Sequence, residues 1–494
     1  MELDHEACYR AILSRDPRFD GRIFGGVKTT GIYCRPICPA RTPKPQNITF
    51  YPSAAAAEAA GFRACLRCRP ETSPDLGAWK GSSSTVSRAL SLIEAGALDG
   101  GDVEALAARL GLGDRQLRRL FQEHLGATPV GVAQTRRVLL AKQLIHDTDL
   151  PMAQVALAAG FGSVRRFNET FQALYRRPPA SLRRRSAGVE PADGVTLKLR
   201  YKPPYDWDGL IAFLQLRAIP GVERVEADHY ARTIELDGEM GTLAVSPAGK
   251  DQLSVQVRFP RPSALPAILA RVRRVFDLAA DPVAIADHLS RDPDLASRIA
   301  RRPGLRVPGA WDGFELAIRA ILGQQITVHA AVLLAGRLAA DYGEPLPPAW
   351  AREGLTLAFP KPARLAAADL SRLPMPGARS RALGAMAAAA VADPTLFGPR
   401  QDLDTAIKAL KALPGIGEWT AQYIAMRQLR EPDAFPAADI GLMRALETPA
   451  GRPTPAELLA RAEAWRPWRA YAALHLWAGD AQAIKEKADA RKAA

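Results

Sequence analysis

Cysteine is missing from everything after position 68: all five, Cys8, Cys34, Cys38, Cys65 and Cys68, stand at the head of a 494-residue chain. That distribution excludes a disulfide framework running through the protein. Charged residues appear from Glu2 onward, which does not fit a secretory leader. The expectation is a reducing compartment, cytoplasmic and nucleoid-associated, where close cysteines favour a metal site. Long apolar runs are also lacking. No segment approaches 18 uncharged apolar residues, so no membrane span is expected. Acidic residues are in deficit, 52 Asp and Glu against 66 Lys and Arg, for a net charge of +14. Such a surplus favours a polyanion, of which nucleic acid is the commonest soluble one, but a solvated basic face would look the same.

The length implies three or four domains, and the 48% hydrophobic content suffices for packed cores. Proline, glycine and serine cluster at 70–84 and again at 184–194, marking two breaks. Between them the apolar pattern is helical. After them Val195–Leu199, Thr233–Leu236 and Leu253–Val257 alternate like strands. From about Pro266 alanine-rich amphipathic runs dominate. The expected fold is multidomain and mainly α with α+β parts. It comprises a small zinc-bound α/β domain over 1–75, a paired helix-turn-helix over 85–185, a mixed α/β domain over 195–305 and an all-helical domain over 306–485.

Cys34-x3-Cys38 and Cys65-x2-Cys68 are two close thiol pairs, enough to close a sulfur tetrahedron around Zn²⁺. Four thiolates on a dication leave about two negative charges, so a sulfur stays nucleophilic. Alkylating one removes one charge and would improve the site's grip on phosphates. Spacing alone does not single out a reacting cysteine. Thr29 to Cys38, together with Ala60 to Cys68, Ser14-Arg15-Asp16-Pro17 and Asp20-Gly21, resembles the N-terminal domain of the Ada adaptive-response proteins. The resemblance implies Zn²⁺ on all four cysteines and Cys34 as acceptor of a methyl group from a DNA methylphosphotriester. Cys8 lies outside the pattern, as a structural or surface thiol. Arg35, Arg41, Lys44 and Arg67 are either phosphate contacts or solvated charges.

The second segment repeats itself. Leu106, Leu110, Leu112, Leu117, Leu120 and Phe121 surround Gly111, and about fifty residues on Val155, Ala159, Phe161, Val164, Phe167 and Phe171 surround Gly160. Each copy reads as helix, glycine turn, helix. The second helices would be capped by Asp114 and Ser163. They carry Arg115, Gln116, Arg118 and Arg119, and Arg165, Arg166 and Asn168, side chains suited to base edges or phosphates. A helical bundle with a charged outer face is the competing interpretation. Gly160-Phe161 with Phe167, Phe171, Tyr175 and Arg176-Arg177-Pro178-Pro179 resembles AraC-type regulators. That implies promoter binding through two recognition helices and, for an activator, RNA polymerase as a partner. The paired motif lets a monomer bind.

Leu413-Pro414-Gly415-Ile416-Gly417 lies between two apolar-periodic helices. The glycines expose N–H groups beside a helix start, which suits a phosphate. Asp439 precedes another apolar helix. It is either an N-cap or a carboxylate facing positive charge on a reacting sugar, and the two are compatible. Trp419, Tyr423, Trp465, Trp468, Tyr471 and Trp477 gather nearby; Trp465 and Trp468 at least are expected in the core. An extruded, cationic base needs electron-rich rings.

Pro414 to Ala421, Trp468 to Trp477, Arg319 to Gln325, Pro203 to Trp207 and Tyr230-Ala231-Arg232 resemble the AlkA-type DNA-3-methyladenine glycosylases of the helix-hairpin-helix superfamily. The resemblance spans almost all of 195–485. It implies Asp439 as catalytic aspartate and Trp419, Tyr423 and Trp477 as the base pocket. DNA contacts would come from Gln324, Gln325, Gly415 and Gly417. Gln325 stands at the family's wedge position with a polar side chain. The carbonyls of Lys411, Leu413 and Gly415 would hold a monovalent cation. No lysine adjoins Asp439, so base release without strand cleavage is expected. The Pro-Cys-His-Arg motif of the Ada O6-alkylguanine transferase half is absent. Together these imply an alkylation-response protein acting on double-stranded DNA, excising N-alkylated purines and carrying a methyl acceptor with a regulator. Two alternatives are a pure regulator whose glycosylase half only grips DNA, and a glycosylase whose first half only targets it to DNA.

Overall fold

A computed structural model describes residues 3–73, 84–183, 194–352, 354–398, 402–449 and 451–479. Most residues of the two proline- and glycine-rich breaks, 74–83 and 184–193, lie outside the described residues. The chain divides into two compact units. One comprises Met1–Tyr201, Leu236–Ala270 and Leu278–Ala280, and the other Lys202–Glu235, Arg271–Asp277 and Asp281–Ala494. Among the described residues no helix is long and apolar enough to cross a membrane.

The first unit opens with helix α1 (His5–Leu13), capped by the Asp4 carboxylate, which accepts from the Glu6 and Ala7 N–H groups. Strands β1 (Phe24–Val27), β2 (Ile32–Cys34), β3 (Ile48–Tyr51) and β4 (Arg63–Ala64) form one sheet in the order β3-β1-β2-β4, with helix α2 (Ala54–Ala59) between β3 and β4. Only the β2–β4 pair is parallel. Cys8 is buried with Ile12, Ile23, Ile48 and Phe50, so it is structural.

Six helices follow: α3 (Ser84–Glu94), α4 (Val103–Arg109), α5 (Asp114–Leu125), α6 (Pro129–Asp147), α7 (Met152–Ala158) and α8 (Val164–Tyr175). The repeat is plain in the packing. α5 buries Leu117, Phe121 and Leu125, and α8 buries Phe167, Phe171 and Tyr175, each set four residues apart on one helical face. Turn glycines Gly111 and Gly160 both take positive φ, +69° and +90°, and a Cβ at Gly160 would lie 2.3 Å from the Asp99 carboxylate. Ser163 caps α8 by accepting from the Arg166 N–H. Asp114 does not cap α5: Gly113 holds the cap position, and the Asp114 carboxylate accepts instead from the adjacent Arg115 N–H. The helix begins one residue earlier than the polar pattern suggested, because glycine fits the cap backbone without a side chain.

Helix α6 is nailed to the first sheet by buried polar groups. Thr135 donates to Glu58 Oε2 at 2.6 Å and Tyr33 to Glu58 Oε1 at 3.1 Å. Fully buried Lys142 donates to Glu71 at 2.8 Å and to the Cys65 carbonyl at 3.4 Å. Burial works against the Glu71 carboxylate, but Lys142 outweighs it and holds the group below its ordinary range. Strand β5 (Val195–Arg200) follows.

In the second unit, Trp207–Gln215 is a helix capped by Asp206, and β6 (Glu223–Glu226) and β7 (His229–Leu236) make an antiparallel hairpin. Back in the first unit, β8 (Glu239–Pro247) pairs with β9 (Gln252–Arg258), which also pairs with β5, both antiparallel. The remaining second unit is mainly helical, with Gly313–Leu322 buried save Arg319, but the stretch expected to be all-helical also holds a short antiparallel pair, Glu344–Pro345 with Leu357–Ala358, which closes the excursion between two of its helices. Two helices, Leu403–Lys411 and Glu418–Ile424, flank the turn at 412–417.

Candidate functional site

The parallel β2–β4 pairing decides the cysteine geometry. It sets Cys34, the last residue of β2, beside the chain entering Cys65, whose N–H donates to the Tyr33 carbonyl at 3.0 Å. A tight turn, Cys38 N–H to Arg35 carbonyl at 3.1 Å, returns the second thiol. All four Sγ atoms lie within 4.8 Å of one another, with Cys34 the half-buried member and the other three buried. A tetrahedron with Zn–S bonds near 2.3 Å has sulfur–sulfur edges of about 3.8 Å, so the cluster fits the ion. Backbone N–H groups of Arg35 and Arg67 point at Cys68 and Cys65 Sγ, at 3.4 and 3.3 Å. Without an ion the sulfurs compete for protons. Hydrogen bonding with Cys38, then with Cys65, drives the Cys34 thiol up, and the bond from Cys34 draws Cys38 down to about 7. A dication removes that competition by letting all four ionise.

Arg35 is neither a phosphate contact nor a solvated charge. It is buried, paired with Asp20, and donates to the Cys68 carbonyl at 3.1 Å and to Thr72 at 2.8 Å, bracing the cysteine loop. Arg115, Arg118 and Arg119 on α5, and Arg165 and Arg166 on α8, are all exposed. Arg165 is partly engaged with Glu169 at 2.8 Å and Arg118 with Asp114 at 3.5 Å, pairs worth little in water.

The second unit holds a cavity of about 910 Å³ lined by Asp439, Trp419, Tyr423 and Trp477, which the fold therefore brings together. Asp439 caps the helix Ile440–Ala445, with Oδ1 accepting from the Leu442 N–H at 3.0 Å. The same oxygen accepts from the Trp477 indole at 2.8 Å, and Oδ2 accepts from the Trp419 indole at 2.8 Å. Three neutral donors thus hold one carboxylate in place. The Trp419 and Tyr423 rings stack 5.0 Å apart at 11°. Trp465 is core, 1% exposed, but Trp468 is only half-buried, set edge-on to Tyr471.

Three lining residues escaped the sequence reading: Phe213, Arg217 and Arg427. Arg427 sits in a π-helical turn, Ala425–Leu429, directly after the helix carrying Tyr423, and donates to the Tyr423 hydroxyl at 2.6 Å. Its guanidinium also lies 4.9 Å from the Phe213 ring, while that of Arg217 lies 3.7 Å away. Burial pushes the Tyr423 phenol up, but Arg427 and Arg217 outweigh burial and bring it below its ordinary value. The i, i+4 spacing of Tyr423 and Arg427 was the one local signal available.

The hairpin turn depends on Gly415, at φ +78°, where a Cβ would lie 2.6 Å from Ala382 Cβ. Gly415 and Gly417 are exposed, and Gly417 is the N-cap of Glu418–Ile424. Gln324 is committed within the protein: its amide donates to the Gly415 carbonyl at 2.9 Å and to Thr420 at 3.3 Å. Gln325 beside it is exposed and left-handed, φ +58°, a strained backbone for a residue with a side chain.

Comparisons with known proteins now bear on these sites. Family models match residues 7–71 (metal binding domain of Ada), 106–185 (helix-turn-helix domain) and 196–312 (AlkA N-terminal domain). A protein of Mycobacterium tuberculosis, described as a probable bifunctional transcriptional activator/DNA repair enzyme AlkA, is 43% identical over 486 residues, covering 97% of both chains. The chain belongs to that family of bifunctional activator and repair proteins. DNA-3-methyladenine glycosylase 2 of Escherichia coli K12 is 37% identical over 285 residues, 56% of this chain and 95% of its own. In fold, the chain resembles the 3-methyladenine DNA-glycosylase of Archaeoglobus fulgidus, with a TM-score of 0.51 at 22% identity over 57% of this chain and 97% of that one. Both the cysteine cluster and the Asp439 cavity fall within the stretches that this family of bifunctional proteins shares.

Proposed function

We propose that this family member excises N-alkylated purines, 3-methyladenine among them, from double-stranded DNA by hydrolysing the N-glycosidic bond. The observation that carries the reading is the Asp439 carboxylate, fixed by two indole N–H groups and a backbone N–H at the wall of an aromatic cavity. As the base departs, positive charge builds on the anomeric carbon, and a fixed carboxylate stabilises it without having to reorganise. Asp439 then accepts a proton from the water whose oxygen bonds to that carbon. The alkylated base leaves carrying the bonding electron pair, so its cationic ring becomes neutral. Trp419, Tyr423 and Trp477 would stack the extruded base. Among the described residues no lysine lines the cavity, which supports base release without strand cleavage. Gln325 enters the duplex at the vacated position, Gln324 acts by bracing the hairpin, and Gly415 and Gly417 meet a phosphate. The carbonyls of Lys411, Leu413 and Gly415 would share a monovalent cation there, two of them while already accepting from Ile416 and Gln324.

In the same reading, Cys34, Cys38, Cys65 and Cys68 hold Zn²⁺, which when bound keeps the sulfurs ionised and nucleophilic. Cys34, the one half-buried ligand, attacks the methyl carbon of a methylphosphotriester. A sulfur–carbon bond forms, the phosphate oxygen leaves with the electron pair, and the thioether is not regenerated. The exposed arginines of α5 and α8 read a promoter, with RNA polymerase as the partner of an activated monomer. The test is release of free base from duplex DNA carrying both N-methylated bases and methylphosphotriesters, wild type against Asp439→Asn. Release lost in the variant supports the reading. No release by either protein, while Cys34 still becomes methylated on the same DNA, replaces it with a regulator whose glycosylase half only grips DNA.

A further inference from the structure

The first compact unit contains a large cavity of about 950 Å³ that borders the cysteine cluster at Cys68 and extends away from Cys34. Its walls come from the cysteine loop around Cys68, the connection from α6 to α7, and strands β5 and β9. Its lining is strongly cationic: Arg35, Arg67, Arg69, Lys198 and Arg200 against Asp147 and Asp149. Two of the five cations are already balanced. Arg35 pairs with Asp20, and Arg69 with Glu71 and Asp147. Arg67, Lys198 and Arg200 have no hydrogen-bond or ion-pair partner for their side chains among the described residues, and three cations remain against Asp149 on the wall and Asp251, which acts on Arg200.

Arg200 is the informative member. Its Nε is buried with no partner, an unmet donor that a ligand would complete. Burial, and then repulsion from Arg35, lowers its affinity for its own proton, with Asp20 and Asp251 offsetting part of that effect. Cations gathered against their own repulsion on a roomy, accessible wall are arranged for an anion. The positive surplus on this wall suits a phosphate group, and guanidinium forks match phosphate oxygens.

The geometry points to this cavity as a phosphate-binding site, in which Arg200 and Lys198 of β5 act with Arg67 beside the cysteine cluster. The strand that leads toward the glycosylase half thus contributes to anion capture next to the thiolates. The phosphate belongs either to a DNA backbone or to a free nucleotide.

The test uses the full-length, zinc-loaded protein with Arg200→Gln, Lys198→Gln and the double variant, each checked for wild-type zinc content and melting temperature. Affinity for an undamaged duplex is measured across a salt series, and inorganic phosphate and adenosine monophosphate are titrated calorimetrically. Affinity reduced several-fold, with the slope of log K against log salt shallower by about 1–2 in the double variant, assigns the site to the DNA backbone. Unchanged DNA binding, with saturable phosphate or nucleotide binding that the variants lose, assigns it to a free phosphate. No change in DNA binding and no saturable binding of either small anion overturns the proposal. Lys198 is exposed, so Lys198→Gln carries the test if Arg200→Gln fails to fold.

Discussion

At Asp439 and at the cysteine cluster the protein concentrates negative charge in opposite ways. Asp439 carries one charge and meets three neutral N–H donors already in position. The cysteines carry up to four charges within 4.8 Å, which neighbouring dipoles cannot balance, so an ion must. The first arrangement is complete in the folded chain and stays receptive to a new positive charge. The second is complete only with metal. In the proposed function the first site is used repeatedly, while the second is held together until a ligand is modified.

The sharpest break between them is metal removal. Cys38→Ser should abolish zinc binding, on the order of 10 kcal/mol of coupled folding energy. Hydrogen exchange should then rise across 3–73 while base release continues; retained zinc would contradict the four-cysteine assignment. Next comes Asp439→Asn, expected to slow base release by about a hundred- to a thousandfold. Methylation of Cys34, followed by mass spectrometry, should be untouched.

Acid should separate the sites as well. His475 is buried near Arg302 and Arg298, and burial followed by those charges lowers its pKa to about 4. An unfolded chain takes that proton near 6.5, so the folded state loses stability as pH falls from about 6.5 toward 4, by up to about 3 kcal/mol. Denaturation of His475→Gln followed over that range should show a flatter pH dependence than wild type. A smaller effect is expected of Trp477→Phe, which keeps a ring but removes one of the three donors. Base release should fall by about tenfold, and an unchanged rate would show that two donors suffice. The smallest concerns the twin recognition helices. Gly113→Ser would give α5 the cap that Ser163 gives α8, in open space and at an ordinary φ of −78°, for a gain of a few tenths of a kcal/mol in thermal melts.

Much of this was legible because it is local. Cysteine spacing, glycine turns, alternating strands and the Pro-Gly-Ile-Gly hairpin each express a rule that acts over a few residues. Asp439 was legible twice over, as cap and as carboxylate, and it occupies the cap position while facing the cavity. What escaped was long-range. Arg35 looks like a surface charge until Asp20 and Thr72 close around it. Gln324 looks free until the hairpin, 91 residues on, takes its amide. Phe213 in its helix and Arg217 in the turn after it give no local sign that they wall a cavity with Arg427.

The sequence by itself determined which chemistry the chain holds: thiols in pairs, a lone carboxylate before a helix, rings and glycines at fixed offsets. Those follow from side-chain type and from spacing a few residues apart. Only the tertiary structure decided which charges are balanced. It paired Arg35 and Lys142 with buried carboxylates and left Arg67, Lys198 and Arg200 lining a cavity. Whether an arginine meets a carboxylate or a void depends on segments distant in sequence, and the cost of burying it unpaired exists only once the chain has closed around it.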